Sequence, residues 1–196
     1  MRFVIWAGLI TALLVPVVTA AFSPYLAWRE PIYVIAGFAG ILGMCLLLLQ
    51  PLLAGRWLPG LSPVTSRHWH RWCGLALVAM ILVHVGGLWI TSPPDVVDAL
   101  LFVSATPFSA WGVIAMWAGF AAALMGMSRQ RLSLRFRVWR LGHAALAFVT
   151  ILGSVVHALL IEGTMEIISK FALCALVVLA SAATLAKLRV WDVKRR

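Results

Sequence analysis

His70-Arg71-Trp72-Cys73-Gly74-Leu75-Ala76-Leu77-Val78-Ala79-Met80-Ile81-Leu82-Val83-His84 is an apolar stretch with histidine at each end. Its apolar character continues to Thr91, and residues 72–91 hold no Asp, Glu, Lys or Arg. As a helix, a run of this length rises about 30 Å, the thickness of a bilayer's hydrocarbon core. Lipid offers the backbone no hydrogen-bond partner, so a segment that pairs its own N–H and C=O groups is the form such a run takes.

Five further stretches read the same way: residues 3–21, 31–53, 108–127, 141–161 and 167–186. The breaks between them are polar or proline-rich, as at Ser23-Pro24, Leu58-Pro59-Gly60, Ser92-Pro93-Pro94 and Glu162-Gly163. The expected fold is therefore all-α, a single integral membrane bundle of six transmembrane helices. Composition agrees, since 63% of the 196 residues are hydrophobic and 11% charged. A soluble domain carries about a quarter charged residues. Cys45, Cys73 and Cys174 stand far apart with no CxxC or zinc spacing, so they read as small apolar helix residues.

The net charge of +10 points to membrane topology rather than to nucleic acid. Fourteen of the sixteen cations fall on one side of the six spans: Arg2, Arg56, Arg67, Arg71, Arg129, Arg131, Arg135, Arg137, Arg140, Lys187, Arg189, Lys194, Arg195 and Arg196. Arg29 and Lys170 fall opposite, together with Glu30, Asp95, Asp98, Glu162 and Glu166. Positive charge is retained in the cytoplasm, which places both termini there and the chain in an inner or plasma membrane as a multi-pass protein. Arg2, the apolar run and Val18-Thr19-Ala20-Ala21 also resemble a cleavable signal; the run is long for that, and a retained helix is expected. The connection from Thr91 to Pro107 contains an amphipathic pattern beginning at Asp95, suited to a short surface helix. No internal repeat is evident, and no GxGxxG follows a strand pattern, so no flavin or nucleotide site is expected on this chain.

His70 and His84 are fourteen residues apart, and so are His143 and His157. Fourteen helical steps make almost four turns, so each pair lies within about 40° of one face and about 21 Å apart along the axis. The helices bearing them are the third and fifth spans, which run parallel. His70 is thus level with His143, and His84 with His157. Two facing imidazole pairs at two depths suit two b-type haems, each iron taking one ligand from each helix. A histidine inside a membrane is costly, and four at matched spacing point to function. His68 is rotated from His84 by about 160° and reads as a surface or propionate-facing residue.

Gly74, Gly86, Gly87, Gly142 and Gly153 lie near these histidines, either to admit a flat porphyrin or to let helices approach closely. Arg67, Arg71 and Arg140 stand level with the inner pair, placed to bond porphyrin propionates or simply to flank the membrane. Trp69, Trp72 and Trp139 read as interfacial aromatics.

His70-Arg71-Trp72-Cys73-Gly74 with His84, Phe108-Ser109-Ala110-Trp111-Gly112, Trp139-Arg140-Leu141-Gly142-His143 and Val156-His157-Ala158-Leu159 together resemble the ferric reductase-like transmembrane domain shared by ferric reductases and NADPH oxidases. The resemblance covers about Pro31 to Ala186. It implies that His70 and His143 hold an inner haem, His84 and His157 an outer one, and that electrons pass from a cytoplasmic flavin to an external acceptor. The chain ends at Arg196, where family members continue into flavin and nucleotide domains, and is similar in size to the haem-binding membrane subunit of bacterial methionine-sulfoxide reductase systems.

The expected function is a membrane electron conduit, the haem-binding component of an oxidoreductase. Its donor would be a cytoplasmic flavin reductase or a quinol, its acceptor external, such as a periplasmic oxidoreductase. The arginine-rich segment 129–140 is a docking face or a topology determinant meeting anionic lipid. The rivals are a haem-binding anchor or sensor that passes no electrons, and a transporter whose histidines serve protons or metals. The absence of an acid within any span weighs against a proton relay.

Overall fold

The computed structural model describes residues 2–130 and 135–189. Arg131, Lys194, Arg195 and Arg196, used above to orient the chain, lie outside the described residues. Among the described residues run seven α-helices: α1 (Arg2–Ala21), α2 (Pro31–Ala54), α3 (Pro63–Thr91), α4 (Pro93–Leu100), α5 (Pro107–Met127), α6 (Phe136–Leu160) and α7 (Ile167–Leu188). All but α4 are long and apolar enough to cross a membrane. The chain is thus a multi-pass, all-helical membrane protein.

Four helices begin with proline in the first turn, where its missing N–H costs nothing. Ser62 caps α3, its hydroxyl accepting from Thr65 N at 3.1 Å. These start signals explain the early start of α3; α6 begins early without a proline or a side-chain cap, as a continuation of its span. Helix α3 starts nine residues before the expected span and α6 five before it. Hydropathy marks the lipid-embedded part of a helix, whereas capped polar turns extend it outward. His70 and His143 therefore lie well inside continuous helices, where their rotation is fixed by the helix. The short amphipathic helix appears as α4, with Val96 buried and Asp95 and Asp98 exposed.

Two helical hairpins, α2 with α3 and α5 with α6, make the most extensive contacts. Helix α7 lies against α2 and α6, and α1 covers α7 and α2. The tight core is on that side: Met44, Cys45, Leu47 and Leu48 meet Leu173, Cys174 and Val177. In lipid such packing rests on close fit and small residues more than on expulsion of water. Two glycines mark close approaches between helices. A Cβ on Gly87 would stand 2.8 Å from Ala36 Cβ, and one on Gly153 would stand 2.9 Å from Trp111 O. Both therefore serve helix contact, not room for a planar ligand.

Candidate functional site

The four histidines at fourteen-residue spacing meet as two pairs. The rings of His70 on α3 and His143 on α6 have centres 6.4 Å apart and planes crossed at 72°. Those of His84 and His157 are 6.3 Å apart and crossed at 83°. Apart from these rings, α3 and α6 make little direct backbone contact, each packing instead along its own hairpin partner.

Each imidazole is anchored to a carbonyl on that partner helix. His84 Nδ1 donates to Ala36 O at 2.7 Å, and His157 Nδ1 to Phe108 O at 2.8 Å. His70 Nδ1 donates to Gln50 O at 3.2 Å, and His143 Nδ1 to Ala122 O at 3.1 Å. A carbonyl can only accept, so in each bond the proton sits on Nδ1 and the Nε2 lone pair is left to a metal. Such a bond at the other ring nitrogen is how proteins orient a metal-binding imidazole. Gln50 Nε2 also donates to His70 O at 3.3 Å, tying the two backbones together.

The ring separations are those that two imidazoles would have if they held one iron between them. A ligating nitrogen sits about 2 Å from a first-row metal with the ring centre about 1.15 Å behind it, so opposed rings on one metal have centres roughly 6.3 Å apart. Both observed separations agree. Among the described residues, no group of three or more His, Cys, Asp or Glu is placed to hold a metal ion without such a macrocycle.

These bonds also correct the expectation of no internal repeat. Ala36 and Gln50 on α2 correspond to Phe108 and Ala122 on α5, each 72 positions later. His70 and His84 correspond to His143 and His157, each 73 later. A third bond follows the same rule: Ser66 Oγ donates to Leu53 O at 2.7 Å, and Trp139 Nε1 donates to Met125 O at 2.9 Å. Arg67 and Arg140 stand at equivalent places, three residues before their histidines. The site is built from two hairpins with one plan.

Sequence reasoning missed two glycines that belong to that plan. A Cβ on Gly112 would lie 2.7 Å from His157 Nδ1, and one on Gly40 would lie 3.1 Å from His84 Nδ1. They stand four residues after Ala36 and Phe108, whose carbonyls accept the bonds from His84 and His157. The motif Phe108–Gly112 held a signal for one of them; Gly40 had none until its partner helix was known. Of the glycines singled out earlier, Gly86 faces open space, Gly74 is in ordinary contact with Gln50, and Gly142 abuts the Met125 side chain.

Arg67 and Arg71 are exposed on the first turns of α3, and Arg140 is half-buried on α6 with its guanidinium 5.9 Å from the Phe136 ring centre. His68 is exposed and accepts a bond from Trp72 Nε1 at 2.9 Å, so it joins neither pair. Cys45, Cys73 and Cys174 carry free thiols, the first and last buried in the helix core.

No curated protein and no solved structure matches the chain. The family model described as ferric reductase like transmembrane component matches residues 39–154, well over half the chain. The match takes in His70, His84 and His143, while His157 lies three residues beyond it. The matched segment and the helical hairpins it covers agree, and the chain belongs to the ferric reductase like transmembrane component family.

Proposed function

We propose that the chain holds two b-type haems and moves electrons one at a time across the membrane. His70 and His143 ligate the haem nearer the arginine-rich end, and His84 and His157 ligate the other. The observation that supports this most directly is the pair of 6.3–6.4 Å imidazole separations with every Nδ1 tied to a carbonyl. Bound there, iron porphyrin supplies a one-electron couple whose potential depends on its axial ligands and surroundings.

The protein's own residues do the rest. The carbonyl-bound Nδ1–H groups raise the basicity of Nε2 and set each ring's tautomer and direction. The apolar faces of α3 and α6 exclude water. Arg67, Arg71 and Arg140 offer charge-assisted hydrogen bonds to propionates at the inner level. The arginine-rich end, with both termini, faces the cytoplasm, as the distribution of positive charge favours. Electrons come from a cytoplasmic flavin reductase or a quinol and leave to an external acceptor, such as a periplasmic oxidoreductase.

The test is the absorption spectrum and haem content of the purified chain. Two b-type haems per chain, reduced by dithionite and reoxidised by an added acceptor, are expected. A chain that binds haem but will not cycle is an anchor or sensor. A chain isolated without haem after expression with ample haem supply overturns the proposal.

A further inference from the structure

Trp139 stands one helical turn before His143 on α6, and its indole lies flat on that imidazole, with centres 5.5 Å apart and planes 8° from parallel. Phe136 continues the stack one turn further out, 6.0 Å from Trp139 and at 22°. Phe136 is 56% exposed, so the ring stack runs from the protein's arginine-rich surface to the inner imidazole pair. The Arg129 guanidinium, from the turn just after α5, sits 4.7 Å above Trp139 and 5.0 Å above Phe136.

The repeat shows what this indole adds. Ser66 occupies the equivalent place on α3, one turn before His70, and its hydroxyl bonds Leu53 O as Trp139 Nε1 bonds Met125 O. A small hydroxyl side chain is therefore enough to tie the start of the histidine helix to its hairpin partner. What the larger residue contributes is a ring face against His143. No such stacked face meets His70, His84 or His157 among the described residues; His157 meets Phe108 edge-on at 5.8 Å, and the remaining ring contacts are those between the paired imidazoles. His143 is held twice over, by Ala122 O in its plane and by the indole across its face.

We propose that Trp139 is a positioning residue that clamps the plane of the His143 imidazole and so sets the crossed arrangement of the inner pair. This rests on the two-haem reading above. With one bond to Ala122 O alone, an imidazole can still swing about its Cβ–Cγ bond; a flat neighbour at stacking distance restricts that motion. Arg129 in turn holds the indole through its cation over the ring.

Two substitutions in the full chain separate the ring from the hydrogen bond. Trp139→Ser keeps a donor for Met125 O, as Ser66 does for Leu53 O, and removes the ring. Trp139→Phe keeps the ring and removes the donor. The readout is the low-spin ferric electron paramagnetic resonance signal of each haem, with haem content measured alongside. Trp139→Ser is expected to shift or broaden the inner-haem signal, or release that haem, while the outer signal stays unchanged. Trp139→Phe is expected to retain the native inner signal. An unchanged inner signal in Trp139→Ser, or the same change in both variants, overturns the proposal, because the indole then acts through its N–H or not at all. Failure of the native chain to bind haem sinks the two-haem reading, and this inference with it.

Discussion

His84 and His157 face each other from α3 and α6 with their planes crossed at 83°, nearly perpendicular. His70 and His143 cross at 72°. Under the two-haem proposal, imidazole planes crossed in this way would leave the two iron orbitals that they overlap nearly equal in energy and make each ferric low-spin centre strongly anisotropic. Frozen-solution electron paramagnetic resonance of the oxidised protein should therefore show two signals of the large-g type. Conventional rhombic spectra, which parallel rings produce, would contradict the crossed geometry.

Under the same proposal, replacing one of the four paired histidines should act on one level only. The two levels are fourteen residues apart on each helix, about 21 Å along the axis. His84→Ala or His157→Ala should lower haem content by half and spare the inner haem; His70→Ala or His143→Ala should do the reverse. Quantitative haem assay of the four variants checks this. Full haem content in any of them would falsify the assignment of that residue.

The glycines opposite the outer rings give a finer test. Gly112→Ala places a methyl group 2.7 Å from His157 Nδ1, closer than packed atoms tolerate, and the carbonyl bond from His157 to Phe108 must yield. Overpacking of this kind costs about 1–3 kcal/mol. Gly40→Ala brings the methyl to 3.1 Å from His84 Nδ1 and should do less. Gly86→Ala meets nothing within 4 Å and should leave both haems unaffected. Outer-haem occupancy ranked in the order Gly86→Ala, Gly40→Ala, Gly112→Ala is the expected result. Equal occupancy in all three would show that these glycines do not make room for the rings.

The spans were legible because crossing lipid imposes a length and an apolar character on the chain itself. The histidine pairs were legible because the helical period fixes which residues share a face. What stayed hidden belongs to backbone atoms and to partner helices. Ala36 and Phe108, or Gln50 and Ala122, play the same parts through carbonyl oxygens, and a carbonyl leaves no mark on residue type. Ser66 and Trp139 are likewise equivalent in bonding and unlike in kind. This is why the repeat escaped detection by sequence. The first turns of α3 and α6 were missed for a related reason: these arginine-bearing turns are helical by the Ser62 cap in α3 and by continuity with the span in α6, not by hydropathy.

Thr184 ties the arginine-rich end of α2 to α7. Its hydroxyl donates to Pro51 O at 2.9 Å and accepts from Trp57 Nε1 at 2.9 Å, while the Lys187 ammonium lies 4.0 Å above the Trp57 ring. Thr184→Val keeps the shape and removes both bonds, at a cost of about 1 kcal/mol for each hydrogen bond lost. The thermal midpoint of the purified protein should fall while haem content stays near native, because α7 does not carry the histidines. Loss of haem together with a lowered midpoint would mean that the α2 carbonyls Ala36 and Gln50 depend on this tie.

Glu166 makes the stability of α7 depend on pH. Its carboxylate caps the helix, accepting from Ser169 N and Ile168 N at 2.7 Å each. Those bonds to Ser169 and Ile168 favour the charged form and hold its pKa below the ordinary carboxylate value. A depressed pKa means that the cap contributes fully above the pH at which the unfolded chain's carboxyl ionises. The contribution is lost as pH falls through the lower, folded value. Hydrogen exchange at Ile168 and Ser169 should accordingly rise, relative to mid-α7 amides, as the pH is taken below the ordinary carboxylate range. Glu166→Gln, which cannot ionise, should remove that added acid sensitivity. Persistence of the same pH dependence in Glu166→Gln would assign it to another group.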